Sequence, residues 1–244
     1  MAVSSHTVIL LSGGLDSTVT TAMLREDDPG CTVHALTVSY GQRHAIEVQC
    51  AREVAEYYGV DHRVVSLDLR AIGGSALTGE VAVPKDRELA EPGIPITYVP
   101  ARNTILLGVA LAWAEVLGAD RIAIGINAVD YSGYPDCRPE FISAFERMGR
   151  VATRRGVELG EGPRIVTPLS GLSKAEIVRR GASLGVPFAL THSCYDPEGG
   201  AACGRCDSCR IRRQGFEAAG VPDPTRYADR VFPAGSVSRS GGDA

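Results

Sequence analysis

Lysine, surplus charge and long apolar runs are all scarce in this chain. Its only lysines are Lys85 and Lys174, so arginine carries almost all of its positive charge. Net charge is -4 and the pI is near 5.8, without the basic footprint of a protein that grips a nucleic-acid backbone. No apolar run approaches membrane-spanning length. No basic-then-apolar leader precedes the first expected strand, so no secretory signal is expected. The first glycine pair, Gly13-Gly14, belongs neither to G-x-x-x-x-G-K-[ST] nor to G-x-G-x-x-G, which sets aside two common nucleotide fingerprints. Internal repeats are absent. What remains is a chain of 244 residues, 44% of them hydrophobic, able to bury a sizeable core.

The most informative stretch is Leu11-Ser12-Gly13-Gly14-Leu15-Asp16-Ser17-Thr18. Before it, Thr7 to Leu11 is apolar without alternation, as in a strand buried on both faces. After it, Thr18 to Arg25 reads as a helix. Ser12 to Ser17 is therefore a strand-to-helix turn. Its glycines permit close approach of a ligand. The following helix offers free N–H groups and a partial positive charge, and Ser12, Ser17 and Thr18 add hydroxyls. This is a cradle for phosphate. Asp16 inside it makes sense as a holder of Mg²⁺ on a leaving pyrophosphate. The pattern Ser-Gly-Gly-x-Asp-Ser resembles the loop of the N-type ATP pyrophosphatases, which split ATP between its α and β phosphates.

Further strands are expected at 31–38, 63–67, 121–125 and 164–167. Helices are expected at 18–26, 45–58, 104–117, 141–154 and 173–184. This alternation implies an α/β fold, a doubly wound, mostly parallel sheet that binds ligands at the carboxyl ends of its strands. Residues 70–96 lack periodicity and read as a long loop, expected to be a lid or binding element. The expected organisation is a nucleotide-binding domain over 1–190, a cysteine-rich metal segment with a C-terminal helix over 191–232, and a disordered tail over 233–244.

Polar clusters follow the expected strands. Tyr40 and Arg43, near Gly41, offer a stacking face and a cation. Arg102 precedes an apolar helix that Asn103 could cap, and its guanidinium suits phosphate or carboxylate. The stretch 125–141 packs acids and aromatics where a purine-like base could be read. Asn127, Asp130, Tyr131, Tyr134, Asp136 and Arg138 are its candidate substrate residues, with a helix-cap role for Asp136 as the structural alternative. Ser173 and Glu176 form a capping box, which leaves Lys174 at a helix start where a cation is unfavourable unless a phosphate lies nearby. Lys174 is thus a candidate for neutralising charge in a transition state.

Of seven cysteines, four form C-x8-C-x2-C-x2-C: Cys194, Cys203, Cys206 and Cys209. The spacing suits one tetrahedral Zn²⁺ with no open position, hence structural rather than catalytic; an iron–sulfur cluster is the competing reading. Cys31 and Cys50 read as core residues, and Cys137 as a buried small residue.

The phosphate loop, Tyr40 to His44, Pro100 to Asn103, Ser132 to Arg138, Leu172 to Glu176 and the Cys194–Cys209 cluster occur in one order. Together, from about residue 7 to 230, they resemble the 7-cyano-7-deazaguanine (preQ0) synthase family. The resemblance implies an adenine nucleotide alpha hydrolase-like fold and an ATP-dependent ligase. It implies ATP with Mg²⁺ on Leu11 to Thr18 and Tyr40, with Asp16, Lys174 and Arg102 catalytic. The substrates would be 7-carboxy-7-deazaguanine and ammonia, converted through an acyl-adenylate and an amide to the nitrile. Expected too are a cytoplasmic homodimer, no nucleic-acid or membrane partner, and free ammonia as nitrogen source, since no glutaminase segment is visible. Alternatives are a relative that stops at the amide, a tRNA-thiolating pyrophosphatase, and a zinc-ribbon binding module. The last lacks its basic aromatic face.

Overall fold

The unbroken apolar run of Thr7 to Leu11 requires cover on both sides, and it finds it. In the computed structural model, which describes residues 5–41, 46–88, 93–128 and 133–228, β1 (His6–Leu10) sits at the centre of a five-stranded sheet. β2 (Thr32–Ser39) and β3 (Asp61–Ser66) extend it to one side, and β4 (Arg121–Ala123) and β5 (Arg164–Val166) to the other. The order is β3-β2-β1-β4-β5 and every pairing is parallel. Val8 and Leu10 join a cluster with Leu36, Val38, Leu107 and Ile122. Ile9 and Leu11, on the other face, join Ala35, Ala51, Val54 and Ala123.

Helices α1 (Leu15–Asp27), α2 (Ile46–Tyr58) and α3 (Arg102–Leu117) cover these clusters. They are followed by α4 (Pro139–Ala152), α5 (Arg154–Leu159), α6 (Lys174–Ser183) and α7 (Asp207–Ala219). A third cluster joins α1, α6 and α7 through Leu15, Val19, Ile177, Val178 and Phe216. The expected helix over 141–154 is in fact two. Thr153 turns extended and its hydroxyl accepts from Gly156 N–H at 3.1 Å, starting α5. Strand order reverses between β2 and β4 about β1, which opens a crevice at their carboxyl ends.

Residues 70–96, expected to be a lid or binding element, pack their described part against the body of the fold. Among the described residues, none of them lines the cavity below. Ser75, Ala76, Leu77 and Thr78 are buried, and the segment then straps itself onto the cysteine-rich region. Lys85 reaches Glu198 at 2.6 Å and Asp196 at 3.3 Å. Asp86 N–H donates to the Arg205 carbonyl, and Arg87 Nε donates to Asp207 at 2.7 Å. The alternating charges of Lys85-Asp86-Arg87 are matched by Asp196, Glu198, Arg205 and Asp207. That complementarity lies more than a hundred residues away in sequence, beyond the reach of local pattern. The tail 233–244 lies outside the described residues.

Candidate active site

The loop between β1 and α1 is built as its sequence suggests. Gly13 takes φ +77, and a side chain there would strike the Glu47 carbonyl at 2.5 Å, so α2 closes directly over the turn. Ser17 Oγ accepts from Ser12 N–H at 3.2 Å and donates to Gly14 O at 3.1 Å. No side chain caps α1, which leaves its first-turn donors for an anion. Thr18 is fully buried behind the turn and donates to Gly14 O at 2.8 Å. From the far side, His192 N–H donates to Gly13 O at 2.9 Å.

The loop opens into a cavity of about 240 Å³. Leu11, Ser12, Gly14, Leu15, Asp16 and Ser17 line it. Tyr40, Arg102, Tyr134 and Tyr195 line it too, with the apolar Leu36, Leu106 and Ile126. Burial works against the Arg102 charge. The phenol oxygens of Tyr40, Tyr195 and Tyr134 outweigh that effect and hold its pKa above the ordinary arginine range. Burial also pushes the Tyr40 phenol up, so it stays neutral. Tyr134 packs on Tyr98 with ring centroids 5.8 Å apart. The result is a buried cation among tyrosine hydroxyls in the same cavity as the glycine turn.

Lys174, which does not itself line the cavity, donates from Nζ to both oxygens of the cavity residue Asp16, at 2.8 and 2.7 Å. Asn127, fully buried, donates to Asp16 Oδ2 at 3.1 Å. The capping box is formed, with Ser173 and Glu176 bonded reciprocally. It fixes the start of α6, and hence the root of Lys174.

The other expected substrate residues fall apart into groups. Tyr134 lines the cavity. Asn127 donates from Nδ2 to Asp16 and is not among the residues lining the cavity. The Asp136 carboxylate accepts from Asn103 N–H at 2.8 Å, and Asn103 Nδ2 donates to the Asp136 carbonyl at 3.1 Å. Asp136 therefore caps α3, not its own following helix, and does not line the cavity. Arg138 is exposed and outside the cavity. Arg43, Asp130 and Tyr131 lie outside the described residues. Tyr195, Ser193 and Glu47 line the cavity without having been singled out as site residues. Tyr195 had one usable signal, its place beside the metal-pattern residue Cys194, which anchors it.

The four cysteines converge as their spacing implies. Cys194, Cys203, Cys206 and Cys209 are buried with all Sγ atoms within 4.8 Å of one another, a set able to hold a metal ion. Backbone N–H groups of Cys203 and Asp196 donate to Cys194 Sγ at 3.1 and 3.3 Å, which favours thiolate ligands.

Comparison with known proteins gives a consistent picture. Residues 6–220 match the family described as "Queuosine biosynthesis protein QueC". A relative in Myxococcus xanthus, named 7-cyano-7-deazaguanine synthase, is 60% identical over 228 residues, covering 91% of this chain and 97% of that protein. Proteins of the same name in Solidesulfovibrio magneticus and Stenotrophomonas maltophilia are 60% and 58% identical over 224 and 223 residues. They cover 90% and 91% of this chain, and 94% and 98% of their own. Among solved structures, NMN synthetase from Francisella tularensis superposes with a TM-score of 0.48 at 18% identity, over 90% of this chain and 79% of that one.

Proposed function

This chain belongs to the QueC family of queuosine biosynthesis proteins, and from that premise we propose that it converts 7-carboxy-7-deazaguanine and ammonia to 7-cyano-7-deazaguanine at the expense of ATP. The observation that carries this reading is the pairing of Lys174 with Asp16 beside the Ser12–Ser17 turn, with Asp16 lining the same cavity as Arg102, Tyr40, Tyr134 and Tyr195. The cradle suits the β and γ phosphates of ATP. The apolar and aromatic lining suits a deazaguanine, with Arg102 next to its carboxylate.

A carboxylate cannot lose oxide. Its oxygen attacks the α-phosphorus of ATP, pyrophosphate leaves, and an acyl-adenylate forms. Ammonia adds at the carbonyl carbon and AMP departs with the first oxygen, leaving the amide. The amide oxygen attacks a second ATP in the same way. Loss of AMP with the second oxygen, and of the two remaining N–H protons, gives the nitrile. No side-chain nucleophile is needed. The protein's work is positioning and charge stabilisation. Ser12, Ser17 and the α1 donors hold the pyrophosphate, Lys174 neutralises it as it leaves, and Asp16 faces its Mg²⁺. Tyr40 and Arg102 orient the acyl end.

We assign Zn²⁺ to Cys194, Cys203, Cys206 and Cys209, where four thiolates at these spacings form a closed site. The metal would supply folding energy and no step of the reaction. Residues 1–190 are read as the nucleotide-binding domain and 191–232 as the metal segment with its helix. A cytoplasmic homodimer using free ammonia, with no nucleic-acid or membrane partner, completes the reading; no described helix is long and apolar enough to cross a membrane.

The test is mass spectrometry of one reaction containing protein, 7-carboxy-7-deazaguanine labelled with ¹⁸O in its carboxylate, ammonium, Mg²⁺ and ATP. The expected products are the nitrile and two AMP per nitrile, each AMP bearing one ¹⁸O. Amide with one AMP would make this an amide-forming enzyme. AMP without change in the deazaguanine would remove the substrate assignment.

A further inference from the structure

Mid-helix glycine is costly, because glycine is among the poorest helix formers. Gly215 nevertheless sits inside α7. A methyl group built there would lie 2.4 Å from Lys174 Cγ and 3.1 Å from Lys174 Cβ. The backbone of α7 is thus pressed directly against the stem of the lysine whose ammonium ends on Asp16.

Helix α7 is not free to move aside. Its N-cap is Cys206 and its first turn carries Cys209, so the cysteine cluster fixes where it begins. One turn before Gly215, Arg212 is only 2% exposed. Its guanidinium donates to Asp223 Oδ1 at 3.1 Å and to Thr191 Oγ1 at 2.7 Å. Phe216, the next residue, packs edge-on against Phe188 with centroids 5.0 Å apart. The helix is pinned at its start, before Gly215 and after it. A group added at 215 must therefore displace the lysine rather than the helix.

We infer that Gly215 is a positioning residue: its bare backbone is the seat that aims Lys174 at the phosphate cradle, and α7 carries that aim from the cysteine cluster. The inference rests on the reading of Lys174 as the lysine that neutralises pyrophosphate. It places the metal segment in the geometry of the reaction without giving it a chemical step.

The test is a double-mutant cycle on the full chain: wild type, Gly215→Ala, Lys174→Ala and the double variant. Alanine is otherwise the better helix residue, and bound metal per chain checks that each protein keeps its fold. Gly215→Ala is expected to lower kcat for AMP release by about 100-fold, the scale of an ångström-sized misplacement, with a smaller change in KM for ATP. With Lys174 already truncated, the same substitution is expected to cost much less, since the 2.4 Å contact with Cγ is gone and only the 3.1 Å contact with Cβ remains. Wild-type rates in Gly215→Ala, or an equal loss in both backgrounds, would overturn the inference. Should Gly215→Ala fail to fold, Lys174→Ala is expected to rescue it by removing the 2.4 Å clash with Cγ, and no rescue would be equally fatal. If the wild type does not act on the deazaguanine, the functional reading fails alone. The same cycle, run on the affinity for magnesium pyrophosphate by calorimetry, then decides the role of Gly215.

Discussion

The Lys174 ammonium rests on both carboxylate oxygens of Asp16, its partner 158 residues earlier in the chain. On the proposed reading, each is the group the other's ligand must displace. Pyrophosphate alone competes with Asp16 for the ammonium, and Mg²⁺ alone competes with Lys174 for the carboxylate. Magnesium pyrophosphate satisfies both at once, so an ion pair is exchanged for two rather than broken. Calorimetry is expected to show magnesium pyrophosphate binding at least about tenfold more tightly than pyrophosphate without metal, a difference of about 1.4 kcal/mol. Lys174→Ala should erase most of that affinity and lower AMP release by about 100- to 1,000-fold, the usual loss on removing one preorganised charge-stabilising donor. Equal affinity with and without Mg²⁺ would mean that Asp16 does not face the metal.

Asp136 separates a structural acid from a base-reading one. Its carboxylate accepts from Asn103 N–H at the start of α3, where the preceding Ala101 adopts the left-handed φ of 53°. A cap reached from a distant loop holds that unusual entry and, through it, Arg102. Asp136→Asn keeps the shape and removes the charge. The expected cost is about 1 kcal/mol of stability, read by urea unfolding, with KM for the deazaguanine changed less than about twofold. A rise in KM of an order of magnitude with stability unchanged would return Asp136 to the substrate.

What was legible in the chain was whatever local chemistry encodes. The apolar run of β1, the glycine turn, the capping box of α6 and the cysteine spacings each announce themselves within sixteen residues, and each forms. Asp136 was visible as an acid among aromatics, but its partner Asn103 lies 33 residues earlier. The strap at Lys85, Asp86 and Arg87 reads as an unstructured loop until its counter-charges near Asp207 are folded against it. Arg212 looks like one of three arginines in α7 and is among the most buried side chains. Gly215 looks like a weakness in a helix. Such roles are set by tertiary contacts, which periodicity does not record.

Removing the metal ligands should expose that tertiary frame. Cys209→Ser is expected to lower bound zinc from one per chain to none, since three thiolates and a hydroxyl make a poor tetrahedral site. Hydrogen exchange should then quicken at residues 85–87 and 203–212, which the cluster and its strap hold together, while β1 stays protected. Iron and labile sulfide in the purified protein would instead identify a cluster of the other kind.

Tyr58 makes the fold alkali-sensitive. Its hydroxyl is buried without a hydrogen-bond partner among the described residues, and burial pushes its pKa from 10.0 up to about 12. The unfolded chain releases that proton near pH 10, whereas the folded chain keeps it. Above pH 10 the unfolded state therefore binds fewer protons, and stability falls as pH rises until the folded phenol also ionises near 12. The contribution is full below pH 10 and amounts to roughly 1–2 kcal/mol after discounting for the partial exposure of the ring. Burial raises the Cys50 thiol to about 11 and adds to the same decline from lower pH. Tyr58→Phe removes both the titration and an unsatisfied hydroxyl. Its melting temperature at neutral pH is expected to equal or exceed that of the wild type, and its fall between pH 10 and 12 should be shallower. A variant that melts lower at pH 7 would show that the hydroxyl has a partner and that burial is not what holds the phenol neutral.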